Sequence, residues 1–172
     1  MLVFQYGSNC SENEINSERR LRGDARFLDI ALTVDDYELA FDVYSKGRGC
    51  AASDIVRKEG GKVWGALYDI PDHLIDRDTA RPLGRVSFDA IEGEGTNYRR
   101  ETIKVRRPDC SEVSALTYVV RSPVAGLKTN IAYVGHIVSG LRQRKVPDGY
   151  IAKVKALATA NNPEIALEVA AL

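Results

Sequence analysis

The chain has 172 residues, the length of one domain able to bury a continuous core without metals or disulfides. Its 24 lysines and arginines balance 24 aspartates and glutamates, so no net field draws it to nucleic acid or an anionic membrane, and a small molecule or a protein is the expected partner. No apolar run approaches the roughly 20 residues that cross a bilayer, and residues 1–20 lack the basic and apolar segments of a signal peptide. In chain order, residues 2–6 are short and apolar enough for a buried strand. Ser11 followed by Glu14 has capping-box spacing and predicts a helix over about 11–21. Residues 26–34 and 37–44, split by Asp35-Asp36, predict a hairpin; 50–57 and 62–70, split by Gly60-Gly61, predict a second. Pro71 ends that strand, and 72–92 is expected to be helical in part, broken at Pro82-Leu83-Gly84. Strand character returns over 98–105 and 115–121, joined across Pro108-Asp109. Residues 130–141 and 148–160 carry helical spacing, and Pro163 opens a last short helix, so that 161–172 reads as a helical C-terminal extension. Strands first and helices last make the class α+β. With no repeat, low-complexity tract or linker, residues 1–172 read as one domain.

Several catalytic devices are absent: no phosphate-binding Gly-x-x-x-x-Gly-Lys, no dinucleotide fingerprint, no His-Glu-x-x-His. No cofactor is expected. Cys10, Cys50 and Cys110 are odd in number and widely spaced, which fits neither a disulfide framework nor a Cys-x-x-Cys metal site and reads as reduced thiols of a cytoplasmic protein. His73 and His136 have no partner at ligand spacing, so no metal is expected and neither histidine is given a role. Arg99-Arg100 and Arg106-Arg107 are interleaved with acids and lack a stacking platform, which marks a solvated strand face rather than a nucleic-acid surface.

Two segments carry chemistry. Tyr6-Gly7-Ser8-Asn9 joins a strand end to a helix start, where a glycine turn and unpaired amides can converge on an anion or an oxyanion. An ordinary strand-to-helix connection is the alternative. Glu92, at a helix end before Gly93, is either a solvent-exposed acid or a carboxylate aimed into a cavity, where desolvation would raise its pKa into the working range of a proton shuttle.

Taken in order, Tyr6-Gly7-Ser8-Asn9, Val63-Trp64-Gly65-Ala66-Leu67-Tyr68, Asp89-Ala90-Ile91-Glu92-Gly93 and Asn97-Tyr98-Arg99-Arg100 resemble the signature of the γ-glutamylcyclotransferase-like (AIG2-like) family. Ala132-Tyr133 and Val146-Pro147-Asp148-Gly149-Tyr150 resemble its later segments. The resemblance implies a small closed, mostly antiparallel β-barrel with helices packed outside it. It also implies an enzyme that cyclises a γ-glutamyl group to 5-oxoproline and releases an amine or amino acid. Glu92 would be the general acid/base, the backbone of Gly7, Ser8 and Asn9 the substrate cradle, and Tyr6, Tyr98 and Tyr133 would border the site. Phe88 stands where the family has leucine, Cys10 where it has an apolar residue, and the stretch between residues 71 and 89 is longer than in compact members. The leaving group stays open among amino acids, amines such as a γ-glutamyl-lysine remnant, and a carrier; residues 45–49 and 71–88 are expected to contact it. The alternative function is a non-catalytic ligand-binding or sensor domain on the same fold. Oligomeric state is not legible.

Overall fold

Seven strands realise the apolar runs and alternations: β1 (Leu2–Gln5), β2 (Arg26–Thr33), β3 (Tyr37–Ser45), β4 (Cys50–Arg57), β5 (Trp64–Asp69), β6 (Tyr98–Arg106) and β7 (Glu112–Val120). The structure, a computed structural model describing residues 1–172, closes five of them into a barrel in the order β1-β5-β2-β6-β7 and pairs β3 with β4 as a separate two-stranded sheet. Every barrel pairing is antiparallel except that of β1 with β7, where Val3 faces Leu116 in parallel. Helices pack outside: α1 (Glu12–Ile15), α2 (Arg77–Ala80), α3 (Phe88–Glu92), α4 (Ile131–Gln143), α5 (Asp148–Asn161) and α6 (Ala166–Ala171). The architecture is therefore α+β, a small closed barrel wrapped by helices.

The β6–β7 hairpin forms as its pattern predicts, from Tyr98 opposite Val120 to Arg106 opposite Glu112. The two earlier hairpins do not. β2 pairs with β5 and β6, β3 pairs only with β4, and the β2–β5 and β3–β4 ladders follow one another along the same two chain segments, each with one register shift: Leu32 opposite Trp64, then Tyr37 opposite Arg57, then Ser45 opposite Cys50. Residues 26–45 and 50–69 are thus one long antiparallel ribbon. Asp35-Asp36 and Gly60-Gly61 face each other at its bend, where Tyr37 N–H donates to the Gly61 carbonyl (3.2 Å) and Lys58 N–H to that of Asp36 (3.1 Å). Turn residues mark a bend as readily as a hairpin, and a local signal does not name the pairing partner. The ribbon tip is the loop after Ser45, closed by Gly49 N–H on the Ser45 carbonyl (2.8 Å).

The helix expected over 11–21 shrinks to α1 followed by turns. Within 12–24 only Ile15 and Leu21 are buried. Six residues apart, they would stand about 120° apart around a helix, too far for one narrow face to bury both. Ser11 caps α1 by position but makes no side-chain cap bond, and the Glu14 carboxylate pairs with Arg20, Arg48 and His136 instead of returning to Ser11. In the long 71–89 segment Gly84 takes a left-handed conformation (φ 64°) where the break was expected. α5 packs on β3 and on α4, burying Ile151, Val154 and Ala158, and α6 returns Val169 to the same layer.

Candidate functional site

β1 delivers the chain to the rim of the barrel, where Tyr6 and Gly7 lead into a 3-10 turn, Ser8–Cys10. Its internal bonds run from Cys10 N–H to the Gly7 carbonyl (3.0 Å) and from Ser11 N–H to that of Ser8 (3.1 Å). The N–H groups of Gly7, Ser8 and Asn9 are not used by the turn. Gly7 has φ −103°, so left-handed freedom is not what the position requires. Close approach is: a Cβ there would lie 2.3 Å from Ser53 Oγ. The turn is clamped from beneath. Tyr68 Oη donates towards the carbonyls of Asn9 (3.1 Å) and Cys10 (3.0 Å) and accepts from Arg144, whose Nε also reaches the Cys10 carbonyl (3.2 Å). Cys10 is fully buried with its Sγ on the Gln5 carbonyl, and burial pushes its thiol up to about 12, which leaves it unreactive.

Glu92 arrives from the opposite side. α3 begins at Ser87, whose Oγ accepts from Ala90 N–H (3.1 Å), and ends at Gly93, whose left-handed φ of 70° turns the chain sharply after the glutamate. Asp89 anchors the helix to the barrel, accepting from Arg100 Nε and from Tyr118 Oη, both at 2.8 Å. The Glu92 carboxylate then meets Asn9, accepting from its Nδ2 at 2.6 Å, while Arg20 donates to Asn9 Oδ1. Burial pushes the Glu92 carboxyl up to about 7, against the opposing pull of the Arg20 charge and the Asn9 bond. The residue as a whole is only half-buried, since it opens onto a cavity. Water there eases the shift, and a substrate that displaces the water restores it.

That cavity has a volume of about 640 Å³ and is lined by Ser8, Asn9, Glu92, Tyr98 and Tyr133 together with the ribbon tip. A recess of about 40 Å³ continues inward between Gln5, Tyr6, Gly7, Ser53 and Tyr118, sharing those same five residues. Tyr6, Gly7, Ser8, Asn9, Glu92, Tyr98 and Tyr133 therefore all border one connected hollow. Tyr98 Oη donates to the Ser53 carbonyl (2.7 Å), Tyr133 Oη pairs with Ser53 Oγ (2.8 Å), and Tyr6 Oη donates to the Tyr118 carbonyl. Burial raises all three phenol pKa values, so they serve only as neutral hydroxyls. Asn130 caps α4 by accepting from Tyr133 N–H (2.8 Å), which fixes that tyrosine at the helix start.

The sequence reading missed Ser53, Arg20 and the anchoring role of Asp89. Ser53 sits mid-strand with no motif around it; Arg20 lies in a run of charged residues; Asp89 stood inside the quoted motif and was passed over. Of residues 45–49, Ser45 to Arg48 line the cavity and Gly49 does not, and none of 71–88 does: that segment is held to the outside by the Arg100 pairs with Asp76 and Asp89 and by the Arg77 pair with Glu94. His73 is exposed, and His136 Nδ1 stands 3.2 Å from Glu14. No three His, Cys, Asp or Glu side chains converge as metal ligands would.

A family model described as gamma-glutamyl cyclotransferase, AIG2-like, matches residues 3–135. The chain belongs to that family. The match takes in the turn at 6–9, Glu92, Tyr98 and Tyr133, and stops short of α5 and α6. Among solved structures, the fold is similar to that of a gamma-glutamyl cyclotransferase, with a TM-score of 0.75 and 22% identity over 91% of this chain and 86% of the other. An uncharacterized protein from Homo sapiens gives 0.73 and 24% over 90% and 86%, and YkqA from Bacillus subtilis 0.72 and 20% over 92% of this chain but 54% of its own. At such identities the likeness is one of fold. No curated protein matches the chain in sequence.

Proposed function

We propose that this member of the γ-glutamyl cyclotransferase family closes a γ-glutamyl group to 5-oxoproline and releases an amine or amino acid. The observation that carries the reading is the Glu92 carboxylate held on Asn9 of the turn at 6–9, the two together lining one cavity. The reaction needs no nucleophile from the protein. The substrate's own α-amine attacks its γ-amide carbonyl, the carbonyl electrons move to oxygen, and their return expels the leaving nitrogen. A cavity that holds the glutamyl chain folded supplies much of the acceleration, by replacing many unproductive rotamers with a near-attack one.

Glu92 removes a proton from the α-ammonium and returns one to the departing nitrogen. The α-ammonium of a γ-glutamyl group stands beside its own carboxylate and is less acidic than a peptide α-amino group, whose ordinary pKa is about 8; Glu92 at about 7 lies closer to it than an ordinary carboxylate and is the better-matched base. The unused N–H groups of Gly7, Ser8 and Asn9 are the donors for the developing oxyanion, and the neutral Tyr98 and Tyr133 hydroxyls border the glutamyl chain. Incubation with γ-glutamyl amino acids, γ-glutamylamines and glutathione, followed by mass detection of 5-oxoproline, tests the reading. Glu92→Gln should keep the fold by circular dichroism and lower turnover by about 10²- to 10⁴-fold. Undiminished turnover in that variant removes the proton-shuttle role; no 5-oxoproline from any substrate leaves a binding domain.

A further inference from the structure

The outer wall of the cavity has a charge pattern that the cyclisation does not use. Its lining holds Arg20, Lys46 and Arg48 against one carboxylate, Glu92, in a chain of zero net charge. Arg20 is committed to Asn9, close to the reacting end. Arg48 and Lys46 are different: both lie in the ribbon tip, line only the outer cavity and are absent from the inner recess. Arg48 is three-quarters covered, with its guanidinium 5.8 Å from the Tyr133 ring centroid and one nitrogen on Glu14. Glu14, itself fixed by Arg20 and His136, stands behind the wall and does not line the cavity. It holds the guanidinium in place and leaves its other donors free to face the hollow. Lys46 is exposed and makes no ion pair.

Resting on the cyclotransferase reading, the geometry points to Arg48, seconded by Lys46, as the element that selects a leaving group bearing a carboxylate. Bond breaking has to occur beside the residues shared by recess and cavity, Glu92 with Ser8 and Asn9. The recess is too small for more than a few waters, so the part of the substrate beyond the scissile bond leads outward past the ribbon tip. A neutral or cationic amine there would leave Lys46 without a partner and the Arg48 donors that Glu14 does not take unused. An α-carboxylate one carbon from the departing nitrogen supplies it, and a fork of guanidinium donors suits its planar pair of oxygens.

Two probes differ by that group alone: γ-glutamylglycine and γ-glutamylmethylamide. The protein should turn over the first with kcat/KM about 10- to 100-fold higher, the usual worth of a charge-assisted hydrogen bond. Arg48→Gln should shrink that ratio towards one, chiefly through KM, and Lys46→Ala, an exposed change that leaves the fold alone, should shrink it in part. Calorimetric titration of both probes into the Glu92→Gln protein reads the same preference without turnover. Equal turnover of the probes, or a ratio unchanged in Arg48→Gln, overturns the assignment while cyclotransfer stands. A binding preference that Lys46→Ala or Arg48→Gln abolishes, with no 5-oxoproline from either probe, upholds the carboxylate site and discards cyclotransfer. Neither turnover nor a binding preference overturns both.

Discussion

Gly7 and Ser53 compete for the space of one methyl group. The Cβ that alanine would add at position 7 falls 2.3 Å from Ser53 Oγ, whereas the next neighbours, Tyr133 Oη and Ser53 Cβ, are at 3.4 and 3.6 Å. The clash is therefore with a single oxygen. Gly7→Ala should destabilise by about 1–3 kcal/mol through overpacking. Ser53→Ala should cost about 1 kcal/mol for its bond to Tyr133. The double variant should be less destabilised than the sum by more than about 1 kcal/mol, as read by urea unfolding of all four proteins. Simple additivity would place the constraint on Gly7 elsewhere. The glycine in the Tyr6-Gly7-Ser8-Asn9 motif was legible as a requirement, but its cause was not, because Ser53 lies 46 positions along the chain and enters only through the ribbon that carries it.

At the scale of elements, the small β3–β4 sheet is tied to the barrel through a buried acid. Asp54 on β4 is 2% exposed and accepts from Val120 N–H on β7 at 2.9 Å. Burial pushes its carboxyl up to about 6, and nearby Asp42, raised for the same reason, leaves Oδ1 buried without a partner. Asp54→Asn keeps an acceptor for Val120 and removes a desolvated charge. Asp54→Ala strands the amide, at a cost of about 1–3 kcal/mol. At pH 8 the alanine variant should unfold at lower urea than the parent and the asparagine variant at equal or higher urea; identical behaviour of the two would dismiss the tether. This sheet also explains which strand assignments were legible. The alternation of Tyr37, Leu39, Phe41 and Val43 marked β3, all four being buried. The partner of β3 was not marked, because pairing is decided by which ribbon register buries both faces at once.

Over the whole molecule, activity and stability should run in opposite directions with pH. Glu92 moves from 4.5 to about 7 on folding and Asp54 from 3.8 to about 6. For a raised carboxyl the stabilising contribution is complete below the unfolded value and is lost as pH rises through the folded one. Glu12 and Glu14, lowered overall because their arginine partners outweigh burial, contribute above about 4.5 and lose that contribution as pH falls. Maximum stability is expected near pH 5, with a decline to pH 8. In Glu92→Gln that decline should be smaller, by at most about 3 kcal/mol for a shift of this size and by about 1–2 kcal/mol once cavity water screens the charge. Over the same interval kcat/KM should climb, tenfold per unit below about pH 7, as Glu92 becomes the base. A flat rate profile between pH 5 and 7 would contradict the assignment. Read alone, the chain determined its class, its seven strands, its two long helices and the short motifs that meet at the cavity, because periodicity, turn residues and motif order are local properties. The tertiary structure decided the rest: the ribbon that joins two supposed hairpins, the Asn9 bond on Glu92, and the gathering of Arg48 and Lys46 at the mouth. Each of these depends on contacts between distant positions, and burial, which sets both the carboxyl pKa and the strength of the charges around it, exists only once those contacts form.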